Sequence, residues 1–266
     1  MNDRKAQLAA FERLLDVMDE LRAKCPWDSK QTFQSIRPNT IEETYELCDA
    51  LAKNDLPNIK KELGDVLLHI VFYSKIASET NDFDIADVCN TLCDKLIFRH
   101  PHVFGDVNAE NAVQVETNWE RIKMKEKDGN KSVLAGVPSA LPSLIKAYRI
   151  QDKARNVGFD WAEREQVWGK VKEEFEELMV EIKNMDPQKQ EEEFGDLLFS
   201  LINAARLYKI NPDNALESTN AKFIRRFNYL EENTIKKGID LKSMSLDDMN
   251  AIWNEAKQLE KEGKLK

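Results

Sequence analysis

Two short stretches of this chain place carboxylates at spacings that could grip a cation. In "EEFEE", residues 173 to 177, Glu174 and Glu177 stand three apart and share one helix face. In "EFGD", residues 193 to 196, Glu193 and Asp196 repeat that spacing on the next helix. Val171, Phe175, Leu178 and Ile182 form an apolar stripe beside the first pair. Phe194, Leu197, Leu198, Leu201 and Ala205 form one beside the second, while Glu173 and Glu176 fall toward solvent. Two such helices packed antiparallel bring four carboxylates to one half-buried groove. Like charges crowded this way raise one another's pKa unless a cation lies between them. Mg2+ suits that place, because it takes oxygen ligands and keeps waters or substrate phosphates in its shell.

A lone run of Glu on a helix is usually a solvated face, and recurrence is what argues against that here. "EETYE" at 42–46 is followed by "ELGD" at 62–65. A shift of 131 residues superimposes Glu42, Glu43, Glu46, Glu62, Gly64 and Asp65 on Glu173, Glu174, Glu177, Glu193, Gly195 and Asp196. Lys95 and Arg99 in "KLIFR" are echoed by Lys222 and Arg226 in "KFIRR". One helical unit has been duplicated, and the first copy offers a second metal set of Glu43, Glu46, Glu62 and Asp65. Glu43 has another reading, as the residue closing a capping box opened by Thr40. A di-iron centre would need Glu-x-x-His pairs. The three histidines, His69, His100 and His102, are not spaced that way, and no Cys/His set is available for zinc.

The elements that must position these groups are helices. Periodicity predicts them near 4–24, 39–54, 57–79, 84–99, 110–127, 140–156, 163–184, 187–209, 213–236 and 246–262. Pro57, Pro187 and Pro212 mark starts, and Asn81-Asp82 and Gly158 mark stops. Nine Gly and eight Pro in 266 residues are too few for a many-turned sandwich or barrel, so the fold class is all-α. The Gly- and Ser-containing stretch at 128–139 separates a domain at 1–130 from one at 131–266. A net charge of −9 argues against a nucleic-acid duplex or an anionic membrane as partner. No apolar run is long enough to span a membrane, and the amino terminus has no signal-peptide block. The four cysteines form no C-x-x-C pair, as expected of reduced thiols in a cytoplasmic protein.

E-E-x-x-E followed by E-x-x-D in an acidic helical chain resembles the MazG nucleoside triphosphate pyrophosphohydrolases. "CPWD" at 25–28, "TIEETYE" at 40–46, "RHPHVF" at 99–104, "NVGFDW" at 156–161 and "KFIRRF" at 222–227 extend the resemblance to the long two-copy form. It implies two tandem helical bundles, a homodimer of intertwined helices, and Mg2+-dependent hydrolysis of nucleoside triphosphates to monophosphate and pyrophosphate with little base selectivity. It places the metal ligands on Glu174, Glu177, Glu193 and Asp196, and the groups around the triphosphate on Lys123, Lys170, Lys222, Arg226 and Trp253. It also implies that the second copy is catalytic and the first structural, regulatory or weakly active.

The residues themselves leave choices open. Glu173 or Glu174 could position the attacking water as general base. Lys222 and Arg226 could bind phosphates or pair with Glu217 or Glu231, Trp253 could stack on a base or simply pack, and Lys123 sits in a charge-rich helix. A non-enzymatic acidic protein that binds a basic partner or senses nucleotides explains the charge, but not the recurrence of E-x-x-D.

Overall fold

The computed structural model describes residues 2–107, 114–115, 122 and 132–265. Among them the chain is all α-helical, with ten α-helices, short 3-10 turns and no strand. It divides into two compact units, Met1–Ile122 and Lys123–Lys266. The boundary expected at 130/131 lies outside the described residues. So does the helix expected at 110–127, except for residues 114, 115 and 122, which are helical.

The first unit contains α1 (Arg4–Lys24), α2 (Phe33–Ala52), α3 (Leu56–Ser78), α4 (Ile85–Arg99) and the single turn α5 (Pro101–Phe104). Met18, Ile36, Val71, Phe72 and Ile76 form its buried core, with Phe11, Leu14, Leu15, Leu68, Tyr73 and Ile85 packed around them. Asp3, Asp55 and Asp84 cap α1, α3 and α4 with their side chains.

The start of α2 corrects the sequence expectation. The helix begins at Phe33, with Thr32 and Ser35 as the capping box, and runs through Pro38. Pro38 forfeits one helical hydrogen bond, but Ile36, 1 % exposed in the core, anchors the turn before it. Thr40 is therefore a mid-helix residue and not a cap. Its hydroxyl donates to the Ile36 carbonyl at 3.2 Å and lies 2.9 Å from His69 Nδ1 and 2.7 Å from the Tyr73 hydroxyl. Glu43 consequently closes no capping box.

The second unit contains α6 (Ser143–Arg155), α7 (Val167–Asn184), α8 (Pro187–Leu207), α9 (Pro212–Asn233) and α10 (Leu246–Lys261). Helices α7 and α8 form its most extensive pair. Helix α6 packs on α8 and α9, and α10 packs on α9. Pro187 and Pro212 open their helices, as the sequence indicates. The α7–α8 hairpin turns on Met185, in the left-handed region at φ 56, followed by Asp186, which caps α8. The α2–α3 hairpin turns the same way, on Asn54 at φ 52 followed by Asp55.

The apolar stripes only partly meet a core. Val167 and Leu178 are buried, but Phe175, Ile182, Phe194, Leu198 and Leu201 are exposed. The buried face of α7 runs through Val167, Glu174 and Leu178 instead, so Glu174 lies in the hairpin contact and not on its shoulder. The uncovered face recurs in the first unit: Leu63, Leu67 and Ile70, the counterparts of Phe194, Leu198 and Leu201, are also exposed. Among the described residues no helix is long and apolar enough to cross a membrane.

Candidate metal centre

Each hairpin brings three carboxylates together. In the second unit, one oxygen each from Glu174, Glu177 and Glu193 lies within 4.8 Å of the others. Glu174 is 7 % exposed, Glu193 half-buried and Glu177 exposed. Asp196, one turn along α8, is exposed and lies outside this group. In the first unit the group is Glu43, Glu62 and Asp65, again within 4.8 Å, and exposed Glu46 lies outside it. Each copy thus leaves out a different member, and under the 131-residue shift the two groups together cover all four positions of the sequence motif. Glu62 is 5 % exposed, and its Oε2 has no hydrogen-bond partner among the described residues.

The electrostatics follow from the crowding. Partial desolvation, then the charges of Glu174 and Glu193, push the Glu177 carboxyl above its ordinary range. Desolvation, then Asp65, Glu46 and Glu62, push Glu43 up in the same way, with Lys61 acting against them. A lysine offsets each cluster. Lys170 donates to Glu173 at 2.8 Å and lies 2.7 Å from Glu174. Those hydrogen bonds, to Glu173 and then Glu174, raise its pKa. Lys61 donates to Glu62 Oε1 at 2.9 Å, the contact that most raises its own pKa.

The remaining sequence-predicted groups are placed as follows. Arg226 donates through Nε and Nη2 to Glu260 Oε2 at 2.9 and 2.6 Å, and Arg225 donates to Oε1 of the same residue. The pairing expected with Glu217 or Glu231 is replaced because α10 folds back along α9 and delivers Glu260 from a distance in sequence. Trp253 sits 5.0 Å from Phe223 between ring centroids, and the Arg226 guanidinium lies 5.9 Å from its ring. Lys222 is half-buried one turn before Arg226 on α9. Lys123 lies outside the described residues.

Two features escaped the sequence reading. Lys61 could have been noticed from its place in "KKELGD", where the second copy reads "EEEFGD". The other is an ion pair in which the buried Arg206 donates through Nη1 to Asp160 Oδ2 at 3.0 Å, braced by Asn203. It ties α8 to the loop before α7, and nothing local in the sequence announces it.

Comparison with known proteins follows the same duplication. The MazG nucleotide pyrophosphohydrolase domain matches twice, at residues 31–104 and 163–230, spanning the two hairpins. The nucleoside triphosphate pyrophosphohydrolase of Escherichia coli strain K12 is 43% identical over 257 residues, covering 94% of this chain and 98% of that protein. The nucleoside triphosphate pyrophosphohydrolase/pyrophosphatase MazG of Thermotoga maritima is 44% identical over 250 residues, covering 93% and 95%. The uncharacterized protein YabN of Bacillus subtilis is 43% identical over 256 residues, covering 94% of this chain and 52% of that protein.

Proposed function

The chain belongs to the MazG nucleotide pyrophosphohydrolase family, and from that membership we propose a Mg2+-dependent enzyme that cleaves nucleoside triphosphates over a broad range of bases to monophosphate and pyrophosphate. Hydrolysis of a phosphoanhydride bond is the family's chemistry, which sets aside the non-enzymatic reading. The observation carrying the proposal is the recurrence of three converging carboxylates on equivalent hairpins.

The residues fit a hard divalent cation. Every donor in both groups is a carboxylate oxygen, with no His or Cys among them. In the first unit the buried Glu62 Oε2 lacks any donor, and in the second three carboxylates share one contacting lysine. Glu174, Glu177 and Glu193 would hold Mg2+ in the second unit, with Asp196 a turn away to join them. Bound there, Mg2+ supplies charge neutralisation at phosphate oxygens and a lowered pKa for a bound water. Of the two candidates for taking a proton from the attacking water, Glu174 belongs to the converging group, which leaves Glu173. Lys170, already bridging Glu173 and Glu174, gives a mobile positive charge for the phosphates. Lys222 adds another, as does Arg226 when it exchanges Glu260 for phosphate. These groups address the triphosphate and not the base, which supports broad base acceptance.

We assign catalysis to the second unit and a structural, regulatory or weakly active role to the first. The exposed apolar faces repeated on α3 and α8 support a homodimer, because faces of this kind on a soluble chain mark association surfaces. The free thiols of Cys25, Cys48, Cys89 and Cys93 suit a reducing cytoplasm.

Incubation with a panel of nucleoside triphosphates, with and without Mg2+, tests the proposal. Pyrophosphate and monophosphate should form from every base only when the metal is present. Orthophosphate as the sole product would overturn the assigned bond, and turnover of a single base would overturn the broad range.

A further inference from the structure

The lysines that balance the two carboxylate groups do not correspond. Lys61 stands on α3 where the second unit has Glu192, and Lys170 stands on α7 where the first has Asn39. Lys61 Nζ lies 2.9 Å from Glu62 Oε1, 3.7 Å from Asp65 Oδ2 and 3.9 Å from Glu46 Oε2. It therefore engages three of the four acidic positions of its unit. Lys170 engages one of its four, Glu174, and otherwise contacts Glu173.

An ammonium so placed does part of a metal ion's electrostatic work. It does so incompletely. Glu62 is 5 % exposed, and only its Oε1 receives Lys61, while Oε2 is buried with no donor. A buried carboxylate oxygen left without a partner is costly, and a hard cation is the ligand that satisfies it. The same cation would have to take the charge that Lys61 now neutralises. With its side chain 61% exposed, Lys61 can swing into water when it is displaced.

On the reading that both groups take a divalent metal, we propose that Lys61 is a tethered competitor at the first unit's carboxylates, making that group the weaker of two metal sites in the chain. The second unit's site fills first. The first unit's site fills only as metal concentration rises far enough to expel the ammonium, so occupancy of the first unit reports on free divalent metal.

The test titrates Mn2+ into the full chain and follows free Mn2+ by electron paramagnetic resonance. It compares the unaltered protein with Lys61→Gln, Lys61→Arg and Glu193→Gln. Two classes of site are expected in the unaltered protein. Lys61→Gln should tighten the weaker class roughly fivefold, the upper range for an exposed ion pair, and leave the tighter class in place. Lys61→Arg, which keeps the charge, should leave the weaker class weak. Glu193→Gln should remove the tighter class without changing the response to Lys61→Gln. A weaker class seen only after Lys61→Gln would support the proposal still more directly. Two classes that Lys61→Gln leaves unchanged would overturn it while the metal reading stands. No Mn2+ bound by any of these proteins would overturn both.

Discussion

The two units carry the same hairpin and the same acidic letters, yet they bury different carboxylates. In the first unit the buried member is Glu62, on the second helix of the hairpin; in the second it is Glu174, on the first helix. The layer behind each hairpin differs as well. Thr40, His69 and Tyr73 form a hydrogen-bonded set beneath α2 and α3, where the second unit places Val171, Ser200 and Ala204. Burial keeps His69 toward its neutral form, with Asp65 pulling weakly the other way. His and Tyr side chains between two helices fill more volume than Ser and Ala, so the two hairpins have different layers to pack against. Motif spacing therefore decides which carboxylates can reach a common point, and the packing layer decides which ones do.

Activity gives the largest test of that comparison. Replacing Glu193 and Asp196 together with Ala should lower pyrophosphate release on the order of a thousandfold and leave the helical circular-dichroism signal in place. The same changes at Glu62 and Asp65 should cost less than about tenfold. Equal losses would show that both units turn over nucleotide, and the division of labour would fail.

Stability tests the scaffolds beneath the clusters. Arg206 is buried and the Asp160 side chain is 20% exposed. Arg206→Met therefore removes charged hydrogen bonds from a carboxylate that water can still reach, and should cost about 1.5–3 kcal/mol in thermal or denaturant unfolding of the second unit. Arg22 donates to Glu79 in the first unit, but that carboxylate is 40% exposed, and Arg22→Met should cost only about 1 kcal/mol through this pair. Burial opposes the charge on Asp160, but the Arg206 hydrogen bonds and the Trp161 N–H outweigh it and hold the carboxyl below its ordinary range. A depressed carboxyl contributes stability above its unfolded pKa of about 4 and loses it as pH falls through the folded value. The second unit should therefore weaken on that acid side, and Arg206→Met should remove this part of the pH dependence.

The uncovered apolar faces allow a further comparison. Leu198→Asp with Leu201→Asp should weaken self-association roughly a hundredfold, read as a shift to monomer mass by light scattering. The same pair of changes at Leu67 and Ile70 shows whether the first unit's face contributes equally.

Nine of the ten expected helices were legible because their signals are local. The single turn Pro101–Phe104 was not expected, and the helix at 110–127 lies mostly outside the described residues. Pro187, Pro212 and the acidic spacings need only a few neighbouring residues to act. The start of α2 was misread because Thr40 and Glu43 have the spacing of a capping box, whereas the box that forms is Thr32 with Ser35 and the burial of Ile36 holds the turn before Pro38 in the helix. Periodicity identified Phe194 and Leu198 as an apolar stripe, but apolar spacing carries no information on whether a helix of the same unit covers it, and here both are exposed. For Arg226 the sequence offers phosphates or the nearby Glu217 and Glu231, and misses Glu260 because it arrives from another helix. The choice of three carboxylates out of four is made by packing across each hairpin, which no spacing rule contains.

The smallest effect concerns the turn shared by both hairpins. Met185 adopts φ 56 and ψ 34, while the residue is 81% exposed and so buries little apolar surface. An L residue in that region pays roughly 1–2 kcal/mol, and Asn tolerates it better than Met. The first unit already uses Asn54 at the same point. Met185→Asn should therefore stabilise the second unit by about 0.5–1 kcal/mol, and Asn54→Met should destabilise the first by a similar amount, both measured in unfolding titrations. Pyrophosphate release should be unchanged, since the turn lies about two helical turns beyond Glu177. If Met185→Asn instead lowered stability at concentrations where the chain self-associates, and only there, the methionine would be covered by a second copy. The strain would then be the cost of presenting an apolar side chain to that interface.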